Sequence, residues 1–118
     1  MQFGLRVIHL VESLPNSRTG RVIGNQLLRA GTAVGANYRS ALRGKSRADF
    51  IAKMGIVEEE CDEALYWMQM LIAADVVKKS RLLELMKEAD EIIAIVVSSI
   101  KTARARNNSP KSGFRNPK

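Results

Sequence analysis

QLLRAGTAVGANYRSALRGKSRADF, residues 26–50, decides the fold. Within it Leu27, Ala30, Val34, Asn37 and Ala41 recur at spacings of three, four, three and four. That is the period of one helix face, not the alternation of a strand. Ile23 extends the seam backwards and Thr19 is the expected N-cap, so a helix is predicted over about residues 20–43. Gly44 suits the left-handed conformation that commonly ends a helix. Ser46 and Asp49, three residues apart, resemble a capping box and start the next helix. The stretch is a helical hairpin with a short turn.

Working outward, Phe3, Val7, Leu10 and Leu14 form a first seam, which Pro15 stops because its ring clashes with the preceding turn. A helix over residues 2–14 follows. After Ser46 the seam Phe50, Met54, Val57, Cys61, Ala64 or Leu65, Met68 and Ile72 runs to about residue 74. Ser80 is the expected cap of a fourth helix, with Leu82, Met86, Ala89, Ile93, Val96 or Val97, and Ile100 on one face. Four amphipathic helices with short connections predict an all-α fold, an antiparallel up-down-up-down four-helix bundle. The bundle is expected over residues 1–104. Residues 105–118, ARNNSPKSGFRNPK, lose the periodicity and read as a basic, disordered C-terminal tail.

A chain of 118 residues fits one domain with a core of its own. Cys61, the single cysteine, has no partner for an intramolecular disulfide, and no Cys/His cluster has zinc spacing. A reducing, cytoplasmic setting of bacterial type is expected. Arg6, His9 and Glu12 break the first apolar stretch, unlike a signal peptide, and no apolar run approaches the roughly 18 residues of a membrane helix. The net charge is +7, unevenly placed. Residues 1–53 hold nine Lys/Arg against Glu12 and Asp49; residues 54–77 hold six acids and no base; residues 101–118 hold six bases and no acid. Such separation favours complementary contacts between neighbours and leaves basic surface for polyanions.

On a wheel at about 100° per residue, Arg21, Arg29, Arg39 and Arg43 fall within an arc of roughly 80°, nearly opposite the Ile23/Leu27/Val34 seam. Lys45 and Arg47 extend this stripe around the turn. Guanidinium groups hold phosphate through paired hydrogen bonds, so these six residues are the candidate nucleic-acid contacts. A solvated helix face, or pairing with acids of another helix or subunit, is the alternative. Gly24, Gly31 and Gly35 line a second edge, where missing side chains permit close packing of another helix. Asn37, polar within the seam, is a candidate for setting helix register through a buried hydrogen bond.

The acids Glu58, Glu59, Glu60, Asp62 and Glu63 are consecutive or nearly so and point around the helix, so they do not converge on a metal or a hydrolytic site. The lone His9 has no Glu or Asp three residues before it, which excludes the di-iron bundle motif. No catalytic residue, metal site or cofactor is predicted. Ile56, Glu59, Glu63, Tyr66, Trp67 and Met70 lie opposite the third seam and have an interface composition; they are either an oligomer interface or packed on a neighbouring helix.

The segments Gln26-Leu27-Leu28-Arg29-Ala30, Val34-Gly35-Ala36-Asn37-Tyr38-Arg39 and Ser46-Arg47-Ala48-Asp49-Phe50 closely resemble the bacterial 23S ribosomal RNA intervening-sequence protein family, and the likeness covers residues 3–104. The resemblance implies a four-helix bundle assembled as a ring-like homopentamer, without established enzymatic activity. Distant relatives are accessory subunits of reverse transcriptases of diversity-generating retroelements, which bind that enzyme and nucleic acid through a basic surface. Arg29, Asn37, Tyr38 and Arg39 match the signature of the family, where their roles are structural or interfacial. The expectation is a non-enzymatic oligomeric scaffold that binds RNA, DNA or a reverse transcriptase, with no membrane and no small-molecule substrate. The alternative is a structural or regulatory protein-interaction module with no nucleic-acid role.

Overall fold

Each apolar seam becomes one helix in the computed structural model, which describes residues 2–108. α1 spans Gln2–Glu12, α2 Arg18–Leu42, α3 Arg47–Ala73 and α4 Lys79–Asn108, and no strand occurs among the described residues. α4 continues beyond residue 104 because Ala103, Arg104, Ala105 and Arg106 are strong helix formers and no Gly or Pro lies between Lys79 and Pro110. The remainder of the expected tail, residues 109–118, lies outside the described residues.

The helix ends refine the sequence expectations. Ser17, not Thr19, caps α2: its backbone is extended and its Oγ accepts the Gly20 amide at 3.0 Å. A Cβ at position 20 would lie 2.7 Å from the Pro15 carbonyl oxygen, so glycine is what lets the chain fold so tightly into the helix. Ser46 caps α3 as expected, accepting the Asp49 amide at 3.0 Å, while the Asp49 carboxylate accepts from the Lys45 amide at 3.3 Å. Gly44 is not left-handed. Its need is room, since a Cβ there would sit 2.8 Å from Asp49 Oδ2. The left-handed ending occurs instead at Asp75, φ 60°, where the Asp75 amide donates to Ile72 and the Val76 amide to Leu71, closing α3. Ser80 falls inside the first turn of α4 rather than before it.

The helices pack in ring order, α1 on α2, α2 on α3, α3 on α4 and α4 back on α1, with no packing across the diagonals. Cross-contacts run antiparallel. Val7 faces Gly31 while Leu14 faces Gly24, the Cys61 thiol donates to the Ala89 carbonyl, and Arg6 pairs with Glu88 while Arg81 donates to Ser13. The core runs through Val7, Leu27, Met54, Cys61, Met68, Leu71 and Leu82, each essentially without exposure, and contains no buried polar residue among the described ones. The product is a rod of 55 × 21 × 18 Å.

The glycine edge of α2 seats α1. A Cβ at Gly31 would lie 2.7 Å from Val7 Cγ1 and 3.0 Å from Val7 Cβ, and one at Gly24 would lie 3.0 Å from Leu14 Cδ1. α1, however, has 11 residues against 27 in α3 and 30 in α4. At 1.5 Å per residue it covers about 16 Å of a bundle roughly 40 Å long. Past its first turn only three helices enclose the core. A groove of about 230 Å³ opens there, lined by Phe3, Gly35, Tyr38, Ile92, Ile95 and Val96 among others.

Candidate functional site

The arginine stripe of α2 divides into engaged and available members. Arg29 lies mid-helix, where its Nη1 meets Glu60 at 3.2 Å and its Nη2 meets Glu63, both on α3. Glu63 also accepts from Trp67 Nε1 at 3.1 Å. The Trp67 hydrogen bond and then Arg29 hold the Glu63 carboxyl below its ordinary value, and Glu63 in turn raises Arg29. Arg29 therefore takes the alternative role, an ion pair with a neighbouring helix. Arg21 donates to Asn16 Oδ1 at 2.8 Å and stands near the opposite end of α2, about 27 Å of helix rise from Arg39.

Arg39, Arg43 and Lys45 are exposed, and no carboxylate among the described residues pairs with their side chains. Arg47, the first residue of α3, is half-buried beside them in sequence. Antiparallel packing brings the end of α4 to the same place: Arg47 and Phe50 share a cleft with Ser98, Ser99, Thr102, Ala103 and Arg106. The basic pole thus draws on the end of α2, the start of α3 and the end of α4. It contains Arg39, Arg43, Lys45, Arg47, Lys53, Lys101, Arg104 and Arg106, with Asp49 as the one acidic side chain among the described residues of these segments. Asp49 is itself engaged, by Lys53 at 3.7 Å and by the Lys45 amide. The local sequence supports these placements, because cations near the ends of α2 and α4 complement the negative ends of those helix dipoles.

Lys101, Arg104 and Arg106 are absent from the sequence-based site. The signal was present in the run of bases without acids, and the up-down topology places the last turns of helix four against the start of helix three.

The six interface candidates on α3 separate similarly. Ile56 and Tyr66 are exposed, at 40% and 50%. Trp67 and Met70 are partly buried against the core, and the Tyr66 and Trp67 rings meet edge-on with centroids 4.9 Å apart. Glu63 belongs to the Arg29/Trp67 cluster, and Glu59 lines an acidic depression with Gly55, Glu58, Asp62 and Ile93. Other exposed apolar side chains lie at the open groove and next to it: Tyr38 and Ile95 line the groove, and Leu5, Tyr38 and Leu42 line an adjoining depression between α1 and α2. Leu5, Tyr38, Leu42 and Ile95 are 43%, 44%, 62% and 63% exposed. Asn37 does not set register across helices, since its Nδ2 donates to Ala33 O at 2.9 Å within α2.

Cys61 is buried, and burial, followed by the nearby Asp62, Asp90 and Glu88 charges, pushes its thiol up to about 12. It stays protonated at neutral pH and serves as a core residue. Among the described residues no group of three or more His, Cys, Asp or Glu is arranged to hold a metal ion, and no helix is long and apolar enough to cross a membrane.

No curated protein matches the chain. Among solved structures it is similar to a protein of unknown function from the S23 ribosomal protein family of Bacteroides thetaiotaomicron VPI-5482. The two share 35% identity with a TM-score of 0.80, over 85% of this chain and 93% of that one. The family model of the 23S rRNA-intervening sequence protein matches residues 1–98, which contain α1, α2, α3 and most of α4. With its four-helix fold and this match across most of its length, the chain belongs to the 23S rRNA-intervening sequence protein family.

Proposed function

We propose that this protein is a non-enzymatic, self-associating scaffold of the cytoplasm that binds RNA through the basic pole. The observation that carries the reading is the convergence of Arg39, Arg43, Lys45, Arg47, Lys101, Arg104 and Arg106 from three helices, with Asp49 as the one acidic side chain in these segments among the described residues. Multiple guanidinium and ammonium groups on one end suit a phosphate backbone, and they lack the interleaved aromatics that base stacking requires. Recognition is then by charge and shape rather than by base sequence. Self-association, as the ring-like pentamer that the family resemblance implies, is supported by the exposed apolar side chains Leu5, Tyr38, Leu42 and Ile95 along two adjoining depressions.

Fluorescence anisotropy with a structured RNA, titrated across salt concentrations, tests the reading. Log affinity should fall linearly with log salt, at a slope of about −0.7 to −0.9 per phosphate neutralised. A flat salt response, or no binding near physiological salt, removes it.

The same exposed apolar side chains favour a second reading, a protein-interaction module without a nucleic-acid role. It predicts an oligomer by light scattering together with no RNA binding at any salt concentration. A nucleic-acid enzyme such as a reverse transcriptase would then be captured, if at all, by those side chains rather than by the pole.

A further inference from the structure

Two exposed surfaces of the bundle complement one another and cannot meet within one copy. The first is the depression between α1 and α2, about 480 Å³, lined by the small residues Gly4, Gly35 and Ala36 and the larger Leu5, Tyr38 and Leu42. Arg39 lines it too, no acidic side chain does, and no carboxylate among the described residues pairs with Arg39. Small residues let the backbone of another helix approach closely. The second surface is the outward stripe of α3, where Ala52, Ile56, Glu59, Asp62 and Tyr66 are exposed at spacings of four, three, three and four. The stripe carries two acids and no base, and neither Glu59 nor Asp62 has an ion-pair partner among the described residues. α3 packs on α2 and α4 and makes no contact with α1, so the stripe faces away from the depression of its own copy.

We propose that the α3 stripe of one copy docks lengthwise in the α1/α2 depression of a second copy. The proposal rests on the self-association reading above and names the two surfaces that meet. Their lengths agree. Tyr66 lies ten residues after Ile56 on α3, and the depression runs ten residues along α2 from Thr32 to Leu42, so each spans about 15 Å. Ile56 and Tyr66 enter among Leu5, Tyr38 and Leu42, and Arg39 meets the acids that stand between the two anchors. Burial of these apolar groups drives the contact, and the opposite charges fix its register. Because stripe and depression are different patches, the contact is head-to-tail, and the angle between successive copies decides whether the assembly closes into a ring. Arg39 is then shared with the neighbour, while the other bases of the pole lie outside the depression lining.

Light scattering of the full chain over a range of concentrations tests the docking. Leu5→Glu with Leu42→Glu spoils the depression, and Ile56→Lys with Tyr66→Lys spoils the stripe; all four positions are exposed. Each double variant alone should self-associate at least about tenfold more weakly than the parent. An equal mixture of the two should form a 1:1 dimer, because one partner keeps a sound stripe and the other a sound depression. Thermal melts check that the variants fold. If either double variant does not, Arg39→Glu and the pair Glu59→Arg with Asp62→Arg take their place: each alone assembles poorly, and the mixture, with both contacts restored, grows past the dimer. A parent that assembles while a folded variant assembles equally well overturns this interface and leaves self-association standing. Loss of assembly in both variants without recovery on mixing overturns the head-to-tail docking. A parent that is monomeric at every concentration overturns the docking and the self-association reading together.

Discussion

The two halves of the rod share α2, α3 and α4, and only one of them is roofed by α1. In the half that α1 covers, Val7 fits against Gly31 with no room for another carbon, and Val7, Leu27 and Leu82 have no exposure. In the half beyond the first turn of α1, Tyr38, Leu42 and Ile95 remain 44% to 63% exposed and the basic pole gathers at the end. The difference follows from length, because an 11-residue helix cannot roof a bundle of helices with 25 to 30 residues. Where α1 is present, side chains are enclosed in the core. Where it is missing, apolar and charged groups remain exposed.

Core and surface leucines separate the two halves most strongly. Leu27→Ala should cost about 2–5 kcal/mol, read as a fall in the denaturant midpoint, because Leu27 is fully enclosed. Leu42→Ala, at 62% exposure, should change stability by less than about 0.5 kcal/mol. A large loss at Leu42 in dilute protein would mean that the open half is closed by another copy even then.

Charge is the next lever. Replacing Arg39, Arg43 and Lys45 together by Gln should weaken RNA binding roughly 10- to 100-fold at moderate salt and flatten the salt slope by about 2 to 3. Arg21→Gln should change neither appreciably, since Arg21 stands at the other end beside Asn16. Equal effects from both changes would move the binding surface off the pole.

Glycine substitutions compare the seated contact with open helix surface. Gly31→Ala should lose about 1–2 kcal/mol, because overpacking against the rigid, buried Val7 outweighs the gain of about 1 kcal/mol in helix propensity. Gly55→Ala, with nothing within 4 Å of the new carbon, should gain about 1 kcal/mol. Thermal melts of the pair check both signs.

The smallest expected effect belongs to the Arg29/Glu63/Trp67 cluster. Glu63 has a lowered folded-state pKa, so its contribution is present above the ordinary value of 4.5 and is lost as pH falls through its folded-state value. Melting temperature should therefore fall on acidification below about pH 4.5 slightly less steeply in Glu63→Gln than in the parent. The effect is small because the pair is partly exposed. Parallel curves would show that the cluster contributes nothing that titrates.

Much of the fold was legible because helix periodicity is local. Ile23, Leu27, Ala30, Val34 and Ala41 were placed on one face by spacing alone, and all five are buried. The errors fell at helix ends, where neighbouring groups compete: Ser17 replaced Thr19 as cap once Pro15 brought its carbonyl against Gly20, and Asp75 rather than Gly44 took the left-handed turn. The site was less legible. A helical wheel placed Arg29 with Arg39 and Arg43, yet the wheel holds no information about what a neighbouring helix presents at each level.

From the residue order alone came the number of helices, most of each buried face, the glycine edge and the family, written in spacings of three or four residues or in contiguous motifs. Leu71 and Leu85, rather than the expected Ile72 and Met86, are enclosed in α3 and α4. Only the tertiary structure decided that Arg29 meets carboxylates 31 and 34 residues away, that the glycines seat α1, and that the end of α4 completes a basic pole with Arg47. The physical reason is register. Charge pairing and cleft lining depend on the level at which antiparallel helices meet, and helix lengths and turns set that level together.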